Sequence, residues 1–148
     1  MEVKSKKSIM VVDDNVELLD ELTDLLADNG YEPSSFSSGI TALEEARKSP
    51  PDLILLDLKM DGKSGFTVAQ ELNCRPKTTD IPILGMTGYY SGHMYATLMS
   101  IIGFRGCMTK PIDPEKLLAR ISELVEEQQR RGAPRDNGDE ANPSEREL

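Results

Sequence analysis

The sequence has few of the residues on which several protein classes depend. Its 148 residues include two cysteines, one histidine and no tryptophan. Two cysteines, Cys74 and Cys107, are too few for a disulfide framework, and their spacing is not that of a zinc site. Basic residues number 17 against 26 acidic ones, which gives a net charge of −9. Because phosphates repel an acidic surface, this charge argues against nonspecific binding to nucleic acid.

Long apolar runs are also missing. No stretch approaches the ~20 residues that cross a bilayer. The apolar stretch that follows the basic first residues, Ile9–Val12, is too short for the core of a signal peptide. We therefore expect a cytoplasmic protein with no membrane-inserted segment, and the length favours a single domain.

Short apolar runs alternate with segments whose apolar residues recur at helical spacing. The runs at 8–12 and 52–57 are continuous, which is typical of strands buried on both faces. A weaker strand is predicted over 31–36, where Pro33 indicates a sheet edge, and further strands are predicted over 81–87 and 104–108. The predicted helices begin at Asp14 or Asn15, cover 40–48 and 66–73, include Met94 to Ile102, and begin again at the Asp113 cap. Five strands alternating with five helices predict a doubly wound parallel α/β sheet.

The chain divides into three predicted segments. A short extension occupies residues 1–6, and the folded domain covers 7–129. Residues 130–148 hold two prolines, two glycines and nine charges, and their only large apolar residue is Leu148. This composition predicts a disordered charged tail.

Polar residues stand where the predicted strands end. In an open parallel sheet these carboxyl ends meet at one edge, where ligands bind. Three carboxylates held together repel one another unless a cation lies between them, and oxygen-only ligands favour Mg²⁺. A hydroxyl and an ammonium beside them suit a tetrahedral anion, so the edge is predicted to carry out phosphoryl transfer. The residues concerned are Asp13, Asp14, Asp57, Thr87 and Lys110.

Five short motifs follow one another along the chain. They are Val11–Asn15, Asp52–Asp57, Met60 with Gly65, Met86–Gly88 and Thr109–Pro111. In this order they resemble the receiver domain of two-component response regulators, the CheY-like form of the flavodoxin-like fold. The resemblance covers residues 7–129 and implies a stand-alone, single-domain regulator.

The resemblance implies a signalling switch that promotes only its own phosphorylation and dephosphorylation, not a metabolic enzyme. A sensor histidine kinase or a histidine phosphotransfer protein would pass a phosphoryl group from its phosphohistidine to Asp57. Thr87 and Lys110 would each contact a phosphoryl oxygen, and the Lys110–Pro111 bond would be cis. The fourth helix, fifth strand and fifth helix would form the face that contacts a downstream protein. Mg²⁺ would be held by Asp13, Asp14, Asp57 and the backbone carbonyl of Lys59.

The sequence departs from the family pattern at Cys107 and Asp61, and two further positions carry large side chains. Cys107 stands where the family has Tyr or Phe, and we expect it to be a small buried strand residue, so that output relies on movement of the loop 87–92. Asp61 stands where proline is usual and adds a carboxylate at the rim. Lys59 and Tyr89 flank the path of the attacking water and are expected to shield the acyl phosphate and slow its loss.

Other readings of the same residues remain open. A receiver-fold binding module that works without phosphate is favoured only by the missing aromatic. A phosphatase of the haloacid dehalogenase type needs a second acid two residues after Asp57, where this chain has Lys59. A nucleotide-binding protein needs a glycine-rich loop after the first strand, where this chain has Asp13-Asp14-Asn15.

Overall fold

The computed structural model describes residues 5–88 and 93–132, except for the side chains of 93–96, 98 and 132. Strands and helices alternate along the chain as the sequence predicted. The elements are β1 (Ser8–Val12), α1 (Val16–Asp28), β2 (Glu32–Phe36), α2 (Gly39–Lys48), β3 (Leu53–Asp57), α3 (Gly65–Asn73), β4 (Ile83–Thr87), α4 (His93–Ile102), β5 (Phe104–Thr109) and α5 (Pro114–Gly132).

The five strands form one parallel sheet in the order β2-β1-β3-β4-β5. The predicted doubly wound α/β fold is therefore confirmed, and Pro33 does lie on an edge strand. Side chains of β3 and β4 are buried throughout, because helices cover both faces of the sheet. The two buried clusters centre on Ile54 and Leu72 on one face and on Leu55 and Ile121 on the other.

The first helix is capped by Asn15 rather than by Asp14. The Asn15 side chain accepts a hydrogen bond from the Leu18 backbone N–H at 3.2 Å, which satisfies a donor of the first helical turn. The carboxylate of Asp14 is therefore not used as the cap. The sequence suggested either residue as the cap. In the structure Asn15 is the cap, and Asp14 belongs to the carboxylate cluster described below.

Gly65 begins α3 where the chain returns against the end of β3. A Cβ at this position would lie 2.8 Å from the Cα of Leu58 and would also clash with the carbonyl oxygen of Asp57. Only glycine fits so close to the backbone. The loop between β3 and α3, residues 58–64, is thereby held next to Asp57.

Some predicted boundaries differ from the structure by one to three residues. β4 begins at Ile83 rather than at residue 81. The residue just before it, Pro82, accepts a hydrogen bond through its carbonyl from the backbone N–H of Ile54. α5 continues to Gly132, past the predicted end of the domain at 129. Residues 133–148 lie outside the described part of the chain. Within that part, no helix is long and apolar enough to span a bilayer.

The prediction that Cys107 is buried is wrong, because the residue is exposed on β5, an edge strand that also contains a bulge. Ile83 pairs with Phe104 while Gly85 pairs with Cys107, so β5 has one extra residue between the two pairs. Arg105 contacts Glu127 of α5, and a Cβ on Gly106 would also meet α5 through Arg120, so these two consecutive positions point to the same side. Alternation restarts after them, and Cys107 shares the α4 face with Phe104 but is exposed.

Candidate functional site

Three carboxylates meet at the carboxyl edge of the sheet. Asp13 follows β1 and is fully buried, Asp57 ends β3 and is 4% exposed, and Asp14 is exposed to solvent. Their oxygens lie within 4.8 Å of one another. The side chains that the sequence assigned to this edge are thus brought together by adjacent strands, as the order of β1 and β3 requires.

Lys110 supplies the countercharge for the buried acids. Its Nζ donates a hydrogen bond to Asp13 Oδ2 at 2.8 Å and lies 3.5 Å from Asp57 Oδ1. Asp13 Oδ1 also accepts the backbone N–H of Asn15 at 2.9 Å. Burial opposes the charge on Lys110, but its contacts with both aspartates outweigh burial and raise its pKa. The ammonium therefore stays charged throughout the physiological range.

The pKa of the Asp57 carboxyl is raised from 3.8 to about 6. Burial is the main cause, and the charge of Asp13 adds to it, while Lys110 and the Lys59 backbone N–H at 3.3 Å oppose it. The single positive charge of Lys110 does not neutralise the negative charges of the three clustered carboxylates. Ionisation of Asp57 therefore costs the folded state free energy.

The donor set fits a hard divalent cation. All three side chains offer carboxylate oxygens, and among the described residues no histidine or thiol joins the cluster. Mg²⁺ accepts such oxygen ligands, keeps part of its water shell and binds together with phosphate groups. Three negative charges against one positive charge leave an excess that such an ion would neutralise. The predicted magnesium ligands Asp13, Asp14 and Asp57 are therefore placed suitably for that role.

Thr87 ends β4 beside this cluster and is almost fully buried. Its carbonyl accepts the backbone N–H of Lys110 at 2.8 Å, which ties the ends of β4 and β5 together. A Cβ on the following Gly88 would make an ordinary van der Waals contact with the Lys110 side chain, at 3.8 Å, so a small side chain would fit there. The peptide bond between Lys110 and Pro111 is cis, as the resemblance implied.

The loop at 58–64 is fixed by contacts that the sequence did not reveal. The backbone N–H of Asp61 donates to Asp14 Oδ2 at 3.1 Å, which joins the loop to the chain segment after β1. At the other end of the loop, Lys63 Nζ lies 2.6 Å from Glu71 of α3, which also contacts Arg47 at 3.4 Å. The hydrogen bond from Lys63 lowers the pKa of Glu71. No helical spacing links these residues, so no sequence pattern pointed to them.

Comparison with known protein families identifies the family of this chain. The model of the response regulator receiver domain matches residues 9–122 of this chain. The chain belongs to the response regulator receiver family.

Curated receiver-containing relatives support the assignment. PleD of Caulobacter vibrioides is 40% identical over 121 residues, which are 79% of this chain and 26% of that protein. The sensory transduction protein RegX3 of Mycolicibacterium smegmatis is 32% identical over 130 residues, 88% of this chain and 54% of that one. The chain thus spans between about a quarter and about half the length of these relatives.

Solved receiver structures have the same fold. The chemotaxis protein CheY4 of Vibrio cholerae superimposes with a TM-score of 0.76 at 26% identity, covering 81% of this chain and 99% of that one. A CheY-like receiver domain protein from Methanospirillum hungatei gives 0.78 at 26% identity, covering 86% and 100%. In these comparisons the receiver fold accounts for nearly the whole of the matched structures.

Among the residues predicted to modulate this receiver domain, Cys107 lies apart from the acidic cluster. Tyr89 lies outside the described residues. Cys107 pairs with Gly85, two positions before Thr87 along β4, and partial burial raises the pKa of its thiol to about 11. The thiol is therefore protonated at neutral pH, which argues against a redox-sensing thiolate. Phe104 pairs with Ile83, which is farther from Thr87 along β4 than Gly85 is. Its ring packs edge-on against the Phe66 ring, with 6.0 Å between the two ring centroids.

Proposed function

We propose that this receiver domain accepts a phosphoryl group on Asp57 from a phosphohistidine, in a reaction that requires Mg²⁺. The observation that carries the proposal is the position of Asp57, a nearly buried carboxylate with two further acids and a lysine around it. Its pKa of about 6 leaves it mostly ionised above neutrality, as a nucleophile must be. We propose the cytoplasm as the place of this reaction.

In the proposed transfer, an Asp57 carboxylate oxygen forms a bond to phosphorus while the bond from phosphorus to the histidine nitrogen breaks. The electron pair of that bond stays on the imidazole, which takes up a proton from solvent. A bound Mg²⁺ supplies positive charge to the phosphoryl oxygens. Asp13, Asp14, Asp57 and the Lys59 carbonyl are the groups that would hold it.

Lys110 and Thr87 are the proposed contacts for the transferred group. The Lys110 ammonium lies 3.5 Å from Asp57 Oδ1, so it is close enough to pair with a negatively charged oxygen of a phosphoryl group bonded to Asp57. The Thr87 hydroxyl lies on the neighbouring strand, whose residue Met86 pairs with Asp57. Both groups bind the phosphoryl product rather than a metabolite, so we propose a switch that modifies only itself.

The proposed partners are a sensor histidine kinase or a histidine phosphotransfer protein, and a downstream protein. We propose that the downstream protein contacts α4, β5 and α5. Ile101 of α4 is 77% exposed, and residues of α4 and β5, among them Met99 and Cys107, line a groove of about 370 Å³. Exposed apolar side chains and grooves are features of surfaces that partner proteins cover.

Phosphorylation is tested by intact mass after incubation with Mg²⁺ and acetyl phosphate. We expect one phosphoryl adduct that requires Mg²⁺ and is absent from Asp57→Asn. If this small donor gives no adduct, the measurement is repeated with a phosphohistidine protein. Failure with both donors would support the alternative, a receiver-fold binding module that works without phosphate.

The lifetime of the adduct tests the proposed shielding by Lys59 and Tyr89. Lys59 is exposed two residues after Asp57, where its long side chain can cover the approach of water. We expect replacement of both residues by alanine to speed hydrolysis severalfold, measured as loss of the adduct once the donor is removed. The backbone carbonyl of residue 59 survives this change, so phosphorylation itself should persist. An unchanged lifetime would contradict the shielding.

A further inference from the structure

We propose that the backbone N–H of Asp61 is a positioning group for magnesium, acting through Asp14. This inference rests on the proposed function and deepens it. The N–H donates to Asp14 Oδ2 at 3.1 Å and joins the β3–α3 loop to the chain segment after β1. The contact spans 47 residues of sequence, and its acceptor is one of the three clustered carboxylates.

Asp14 needs such support more than the other two acids do. Asp13 is buried and held by Asn15 and Lys110, and Asp57 is buried at the end of a central strand. Asp14 is exposed, and the cap of α1 is made by Asn15 instead. An exposed side chain loses rotamer freedom when it binds an ion, and that loss weakens binding.

A hydrogen bond to one carboxylate oxygen reduces that loss. The Asp61 N–H uses Oδ2, and a monodentate metal contact needs only one oxygen of a carboxylate. Partners of this kind, which orient a ligand without touching the ion, affect metal affinity in many proteins. The bond here comes from the backbone, so it is independent of the Asp61 side chain.

This independence allows a matched pair of variants. Asp61→Ala removes the carboxylate and keeps the N–H, whereas Asp61→Pro removes both. Proline suits the local backbone, because the next residue, Gly62, has φ +80°, the value at the third position of a type II turn. Proline is favoured at the second position of that turn, so Asp61→Pro should fold.

The test measures Mg²⁺ affinity of the full chain by calorimetry and the Mg²⁺ dependence of phosphorylation by acetyl phosphate. We expect Asp61→Pro to bind Mg²⁺ about tenfold more weakly than Asp61→Ala, the lower end for loss of such a partner because the bond is exposed. The phosphorylation rate at saturating Mg²⁺ should be the same in both variants. That separation identifies an effect on binding of the ion rather than on the reaction.

Three results would overturn the inference. Equal Mg²⁺ affinities in the two variants would show that the N–H does not position Asp14. A lower maximal rate with unchanged affinity would show that proline disturbs Asp57 or the loop. Absence of Mg²⁺ binding by the unaltered chain would remove the proposed metal site itself, and the inference with it. Failure of the proposed function is thus distinguishable from failure of the inference about Asp61.

Discussion

Asp57→Asn is expected to stabilise the folded domain in the absence of Mg²⁺ while it abolishes phosphorylation. Asp57 is buried beside Asp13, and its pKa is raised to about 6, so its ionised form is disfavoured in the folded state. Asparagine has the same shape and can still accept the Lys59 N–H, but it carries no charge. At about 1.4 kcal/mol for each pKa unit, the gain at pH 8 is about 3 kcal/mol.

The pH dependence of stability should identify Asp57 as the source. A raised pKa means that the folded chain binds this proton more tightly, so the contribution of the protonated carboxyl is fully present below pH 3.8. That contribution is lost as the pH rises through about 6. We expect denaturant unfolding, with a chelator present, to show the advantage of Asp57→Asn growing from pH 4 to about pH 7 and then levelling off.

A matched control separates this effect from a general change in charge. Asp24 is an exposed residue of α1, and Asp24→Asn should change stability by less than about 0.5 kcal/mol at either pH. Added Mg²⁺ should stabilise the unaltered chain more than Asp57→Asn, because the ion binds the folded state through the carboxylates. If Asp57→Asn were no more stable than Asp24→Asn at pH 8, repulsion at the site would be much weaker than the structure indicates.

The fold followed from sequence because its two strongest signals agree. The run Leu53–Leu56 is apolar at every position, which only a strand covered on both faces requires, and the helical periodicities between the strands imply parallel crossovers. The positions of Asp13, Asp57 and Lys110 at one edge then follow from the topology rather than from contacts. Their meeting could therefore be predicted without coordinates.

What escaped prediction depends on backbone geometry. The bulge at Arg105 and Gly106 reverses the alternation of β5, so Phe104 and Cys107 share one face although strict alternation would put residues three apart on opposite faces. The hydrogen bond to Asp14 comes from the backbone N–H of Asp61, which any residue except proline has, so residue types do not reveal it. Sequence indicated which side chains gather at the site, but not how the loops hold them.

Lys110→Met is the converse of the first prediction, because it removes the compensating charge and keeps the acids. Asp13 is fully buried, and Lys110 is its ion-pair partner at 2.8 Å, with only 26% of the lysine side chain exposed. Breaking a buried pair by removing one partner costs about 3–5 kcal/mol. Asp57 can relieve part of this by binding a proton, so we expect a loss of about 2–3 kcal/mol at pH 7 without Mg²⁺.

The loss in Lys110→Met should depend on conditions in a way that simple loss of packing would not. It should shrink as the pH falls, because Asp57, whose pKa is raised to about 6, takes up a proton. It should also shrink when Mg²⁺ supplies the missing positive charge. Lys116→Met, at an exposed position of α5, should have little effect under any of these conditions. Denaturant unfolding at pH 5 and pH 7, with chelator or with Mg²⁺, measures all four cases. A loss independent of both pH and Mg²⁺ would mean that Lys110 acts through its methylene chain rather than its charge, and its proposed contact with the phosphoryl group would lose its electrostatic basis.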